Sequence, residues 1–198
     1  MRYFFILLFL ILGSSAIWAK DANWKTYRDT SAGFSLSYPS YLKPSSNFET
    51  YYFLPQGWRI AEAQTIGSGK AVFNLPVLEI AHNPHYPYYF TAAVRVGIST
   101  DPLALKNCLA ERNFTLVSIN GSHFQRYAIQ QNGMLQYLTG YSYRILHHGK
   151  CYALEQFKTG SEANPYTHSA KDTPPEQLAA AYQLTDKIVH SFRFLPQG

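Results

Sequence analysis

Charge, cysteine and long apolar runs are all scarce in this chain. Only 15% of its 198 residues are charged, 17 Lys and Arg against 12 Asp and Glu, and nowhere do three basic residues adjoin. A formal charge of +5 spread so thinly favours solubility and lacks the clustered basic face that nucleic acid requires, so no nucleic-acid partner is expected. Beyond Leu12 no segment is long and apolar enough to span a bilayer, which takes about 20 residues. Catalytic signatures are missing as well: there is no G-x-S-x-G and no H-E-x-x-H. Gly67-Ser68-Gly69-Lys70 has the look of a phosphate loop's end, yet Gln64 stands at the first glycine position and Ala71 at the Ser/Thr position. It reads as a flexible turn, and no cofactor is expected.

What is present begins at the N-terminus. Met1-Arg2 is a basic start, Tyr3 to Leu12 an unbroken apolar run, and Gly13 to Ala19 a small-residue stretch before the polar Lys20-Asp21. That order is a secretory signal peptide, cut after Ala19 or alternatively after Ala16. Removing nineteen of the 198 residues leaves 179, a size suited to one domain over 20–198 with its own core. The expected product is exported, periplasmic or secreted, with no membrane span in the mature chain.

An exported chain with two cysteines is read first as carrying one disulfide, Cys108 to Cys151. It would close 43 residues, for which loop entropy gives roughly 4 kcal/mol. Two buried thiols or a redox site are the alternatives, though the spacing is not C-x-x-C.

Aromatics make up 16%, with 16 Tyr and 13 Phe, which favours strands. Asn120-Gly121, Asn132-Gly133 and His148-Gly149 mark hairpin turns between runs at Phe114–Ile119, Phe124–Gln130, Met134–Leu146 and Lys150–Lys158. This spacing predicts a four-strand antiparallel meander. In its third run Tyr141, Tyr143 and Ile145 alternate with Gly140, Ser142 and Arg144, which predicts one packed and one more polar face. Further strands are expected over Trp24–Tyr27, Gly33–Tyr38, Tyr51–Leu54, Arg59–Ile66, Val72–Ala81 and Phe90–Ser99, with Pro76 at an edge or bulge.

Asp101 as cap and Pro102 as first residue open a helix to about Glu111. Thr173-Pro174-Pro175-Glu176 opens a second, with Leu178, Ala181, Tyr182, Thr185, Ile188, Val189 and Phe192 on one stripe. Phe192–Leu195 is expected as a short strand or tail. The predicted fold is α+β, one antiparallel sheet flanked by helices.

Trp24-x-x-Tyr27, then Gly33-Phe34-Ser35-Leu36-Ser37-Tyr38-Pro39 and Lys43-Pro44, resembles the opening of PsbP-like domains of the Mog1/PsbP fold. The helix holding Ile188 and Val189, the closing Ser191-Phe192-Arg193-Phe194 and the Gly140-Tyr141-x-Tyr143 strand resemble their ending. The resemblance implies an α-β-α sandwich and a non-enzymatic accessory role. Tyr41-Leu42 stands where photosynthetic members tend to have a tryptophan before the proline, and photosystem binding does not carry over, since no matching interface residues are visible. Without the family, Gly33 still permits a turn, Phe34 and Leu36 share one side of a strand, and Pro39 ends it.

Candidate chemistry is sparse. His82-Asn83-Pro84-His85 has H-x-x-H spacing and His147-His148 is a doublet, but zinc needs three or four ligands and no partner is placed. Exposed loop histidines are expected, not a metal site. Glu49, Glu62, Glu79, Glu111 and Glu155 are each expected to be solvated. Tyr51-Tyr52-Phe53 and Tyr86-Pro87-Tyr88-Tyr89-Phe90 are expected to pack a β-rich core, with a partner or glycan surface as the alternative. Taken together, a monomeric, non-catalytic accessory or binding protein is expected, acting on a protein or envelope component. The alternative is an envelope hydrolase whose site is assembled from distant residues.

Overall fold

The computed structural model describes residues 23–45, 57–60, 67–80, 90–133, 136–161 and 175–196. In chain order these hold β1 (Trp24–Asp29), β2 (Phe34–Pro39), β3 (Lys70–Ile80), β4 (Phe90–Ser99), α1 (Pro102–Asn107), β5 (Thr115–Ile119), β6 (Ser122–Gly133), β7 (Gln136–His147), β8 (Lys150–Ser161), α2 (Pro175–His190) and β9 (Arg193–Phe194). Among the described residues the fold is β-rich and antiparallel with two helices. The expected strand Tyr51–Leu54 lies outside the described residues, and Arg59 and Ile60, expected to open a strand, form a bend.

One sheet was expected and two are found among the described residues. The smaller has the order β1-β2-β9 and the larger β3-β4-β8-β7-β6-β5. They are tied by side chains instead of a shared ladder: Tyr152 donates to Ala32 O at 2.6 Å and Lys150 Nζ to Ser31 O at 3.0 Å. Gly33, at φ 79°, makes the turn that brings those two carbonyls over β8.

The meander β5 to β8 is as the turn residues foretold in two of its three corners. Asn120 (φ 47°) with Gly121 (φ 82°), and His148 (φ 47°) with Gly149 (φ 69°), both adopt the paired positive φ of a type I′ turn. Asn132-Gly133 is the exception. Both residues are ladder members, facing Tyr137 and Gln136, so the strands run past the expected corner. Cross-strand packing of long strands outweighed a local turn preference there. Pro76 sits on edge strand β3 beside a register shift, where its missing N–H costs no ladder bond.

Alternation divides the larger sheet into two faces. One carries Val94, Val96, Tyr143 and Leu154, and α2 lays Ile188 and Val189 on it, with Phe34, Leu36 and Phe192 completing the core. Each such side chain, fully buried, contributes about 1.5–3 kcal/mol. The expected stripe of α2 is correct at Ala181, Thr185, Ile188, Val189 and Phe192, all buried.

The second face departs from expectation. Cys151, Ala153, Glu155, Phe157 and Thr159 are all buried there, so β8 is enclosed on both sides. Its cover is not a helical layer. α1 has six residues, ends at Asn107 short of the expected Glu111, and shares the work with the bend 57–60. A Cβ at Gly97 would collide with the Trp58 carbonyl, so this glycine lets the bend lie directly on β4.

Candidate functional site

Charge appears where apolar strands leave no room for it. Arg95 interrupts Val94 and Val96 on β4, and Glu155 follows Leu154 on β8. The register sets Arg95 opposite Glu155, Glu155 opposite Ser142, and Ser142 opposite Tyr127, so one row crosses four strands on the second face. Arg144, one step along β7, donates from Nε to Ser142 Oγ at 3.1 Å and from Nη1 to Glu111 Oε1 at 2.9 Å. Its guanidinium lies 4.3 Å from the Tyr127 ring centroid.

Glu155 is the centre of this row. Its two oxygens accept from the Ile60 N–H at 3.0 and 3.1 Å. Complete burial pushes its pKa up; Arg95, the Ile60 N–H and Arg144, in that order, pull it back. Burial lowers the Arg95 pKa, with Glu155 opposing. A buried carboxylate with a perturbed pKa is what a general acid or base needs. Here, however, its lone pairs bind the backbone of the bend, and the bend's Trp58, with Arg59 4.9 Å above its ring, caps the sheet. The group acts as an anchor.

Next to it the disulfide closes the same face. Cys108 and Cys151 are bonded, with Cα atoms 5.8 Å apart, joining the end of α1 to β8. Asp101 caps α1, accepting from Leu103 and Ala104 N–H at 2.9 and 3.1 Å, and those bonds hold its carboxyl below the usual range. Gly67-Ser68-Gly69 is no free turn. A Cβ at Gly67 would strike Asp101 and one at Gly69 would strike Trp58, while Ser68 donates to Asp101 at 3.1 Å and accepts from Ser99.

At the β5 end this face turns apolar and open. Leu116 is 67% exposed, Phe114 41% and Leu146 46%. Leu116 opposes Gln125, which opposes Arg144, and Phe114 meets the Tyr127 ring at 6.1 Å, so all of them flank the charged row.

The expected site residues separate as follows. His82 and His85, both tyrosine clusters up to Tyr89, Glu49 and Glu62 lie outside the described residues. His147 stacks on Phe194 at 3.7 Å and tilts against His148 at 4.0 Å; burial, then His148, lowers its pKa. Glu79 is exposed as expected, and Glu111 is exposed but paired with Arg144. Glu155 corrects the expectation of a solvated acid: it is wholly buried, because its strand is enclosed on both faces. Ser142 and Arg144, assigned to a more polar face, are buried for the same reason. The signal that marks the row is a charge set inside an apolar run, as in Val94-Arg95-Val96.

No protein-family model and no curated protein matches the chain. Among solved structures it is similar to LpqN of Mycobacterium tuberculosis, a protein involved in cell envelope biogenesis, at 12% identity over 89% of this chain and 94% of that one, TM-score 0.30. It is also similar to cyanobacterial PsbP (CyanoP) from Synechocystis sp. PCC 6803, at 14% identity over 92% and 98%, TM-score 0.31. At these TM-scores neither likeness transfers a site, a partner or a role.

Proposed function

We propose that the mature chain is an exported, non-catalytic binding protein that docks an extended segment of another protein on the β5 edge. The carrying observation is the contrast between the two edges of the larger sheet. β3 is blunted by Pro76, by two register shifts and by Ser45, which exchanges backbone bonds with Asn74 at 2.7 and 3.2 Å. Among the described residues no strand covers β5, and Phe114 to Ile119 contains neither charge nor proline. A bare neutral edge with apolar side chains beside it suits strand addition, main-chain bonds giving affinity and alternate side chains specificity. Arg112, two residues before Phe114, is exposed while Glu111 is engaged by Arg144, so an acidic flank on the segment suits this end of the edge.

Export is supported by the Cys108–Cys151 bond, which persists in oxidising compartments, together with the leader-like order of Met1-Arg2, the apolar Tyr3 to Leu12 and the small residues up to Ala19, after which we propose the cut. We read 20–198 as one domain, and the two helices on opposite faces as the α-β-α arrangement that the PsbP-like resemblance implies. The envelope-hydrolase reading would use Glu155 as its acid or base, and the Ile60 bonds oppose that. A photo-crosslinking residue replacing Leu116, and separately Glu79, tests the docking surface in exported protein. We expect one adduct of defined mass at 116 and none at 79. Equal labelling at both positions, or an adduct with a second copy of this chain, refutes it.

A further inference from the structure

The α2 side of the larger sheet holds a different surface. α2 packs over β3, β4 and β8, and beside it β6 and β7 keep Ala128 and Gln130 exposed and Thr139 and Tyr141 half-buried. Register aligns Ala128 with Tyr141 and Gln156, and Gln130 with Thr139 and Lys158. The strand alternation puts these rows on a common face with Arg126 and Tyr143. Two cations are held in place by rings. Arg126 lies 4.5 Å from the Tyr141 centroid, and Lys158 lies 5.2 Å from the Tyr182 centroid on α2. Gln156, 1% exposed, has an Oε1 with no hydrogen-bond partner among the described residues. Asp186 sits close to Tyr143 and Tyr182 and pairs with His190 at 3.5 Å.

We propose that this shelf binds an anionic saccharide, a chain of uronic-acid units, independently of the β5 edge. The two fixed cations are separate, which suits spaced carboxylates better than a phosphate-dense polymer. Between them stand neutral hydrogen-bonding groups, Gln130, Thr139 and the Tyr141 and Tyr182 hydroxyls, matched to sugar hydroxyls. The rows hold no large aliphatic side chain, which excludes an acyl ligand.

Titration calorimetry of the full mature protein with a galacturonate oligomer and a neutral glucan of equal length tests this. The oligogalacturonate is expected to bind, more weakly as salt rises. The glucan should bind at least about tenfold more weakly, and Arg126→Gln and Lys158→Gln should each lose about tenfold in affinity while circular dichroism shows the fold retained. Leu116→Asp should leave this binding intact, which separates its outcome from that of the docking reading. No oligogalacturonate binding at millimolar concentration, equal binding of the neutral oligomer, or unchanged affinity in the Arg126→Gln, Lys158→Gln double variant overturns the proposal.

Discussion

Replacing Glu155 in two ways separates anchor from acid–base group. Glu155→Leu removes the acceptor of the Ile60 N–H within an enclosed sheet face. An unsatisfied buried N–H costs about 1–3 kcal/mol. A loss of about 1–3 kcal/mol in urea denaturation is expected. Glu155→Gln keeps an oxygen for Ile60 and resembles the protonated acid that burial favours. It should stay within about 1 kcal/mol of the parent. The sign of the pH effect follows from the raised pKa. Above the ordinary glutamate value the unfolded chain has released this proton while the native state still holds it. Stability therefore falls as pH rises from that value through the raised one, and Glu155→Gln abolishes this component. Hydrogen exchange at the Ile60 amide should accelerate in Glu155→Leu and stay slow in Glu155→Gln. A glutamine variant as unstable as the leucine variant, or a leucine variant as stable as the parent, would refute the anchoring role.

Three further outcomes are expected. Reducing Cys108–Cys151, or replacing both residues by serine, should cost roughly 4 kcal/mol, measured by urea denaturation with and without reductant. Asn120 donates from its amide to His190 O at 2.9 Å and Phe192 O at 2.8 Å while holding φ 47°. Asn120→Gly should therefore lose about 2 kcal/mol of hydrogen bonding, and Asn120→Ala about 1 kcal/mol more through backbone strain; the reverse order would contradict this account. For His147, whose pKa is lowered, stability is full above the ordinary histidine value near about 6.5 and is lost as pH falls from there through the lowered value. His147→Phe should keep the stack on Phe194 and flatten the melting temperature across that window.

Local chemistry carried much of the fold. Asn120-Gly121 and His148-Gly149 specified their corners because few residue pairs tolerate two positive φ values. Asp101-Pro102 specified the start of α1, and the spacing from Ala181 to Phe192 the buried side of α2, because caps and helical period act over a few residues. Pro76 announced an edge because it cannot donate. Each of these is a constraint that a short stretch of chain imposes on itself.

The tertiary structure decided the rest. Whether Glu155 meets water depends on a bend at 57–60 far away in the chain and on Gly97 making room for it, and neither leaves a mark in the period of β8. The row Arg95–Glu155–Ser142–Tyr127 exists only through strand register, which sums pairing over whole strands; the same pairing carried β6 through Asn132-Gly133. Burial of both sheet faces, the division into two sheets and the difference between the β3 and β5 edges are likewise properties of the assembled layers. Sequence alone set what each segment can do by itself; packing between distant segments determined which charges are enclosed and which edge stays open.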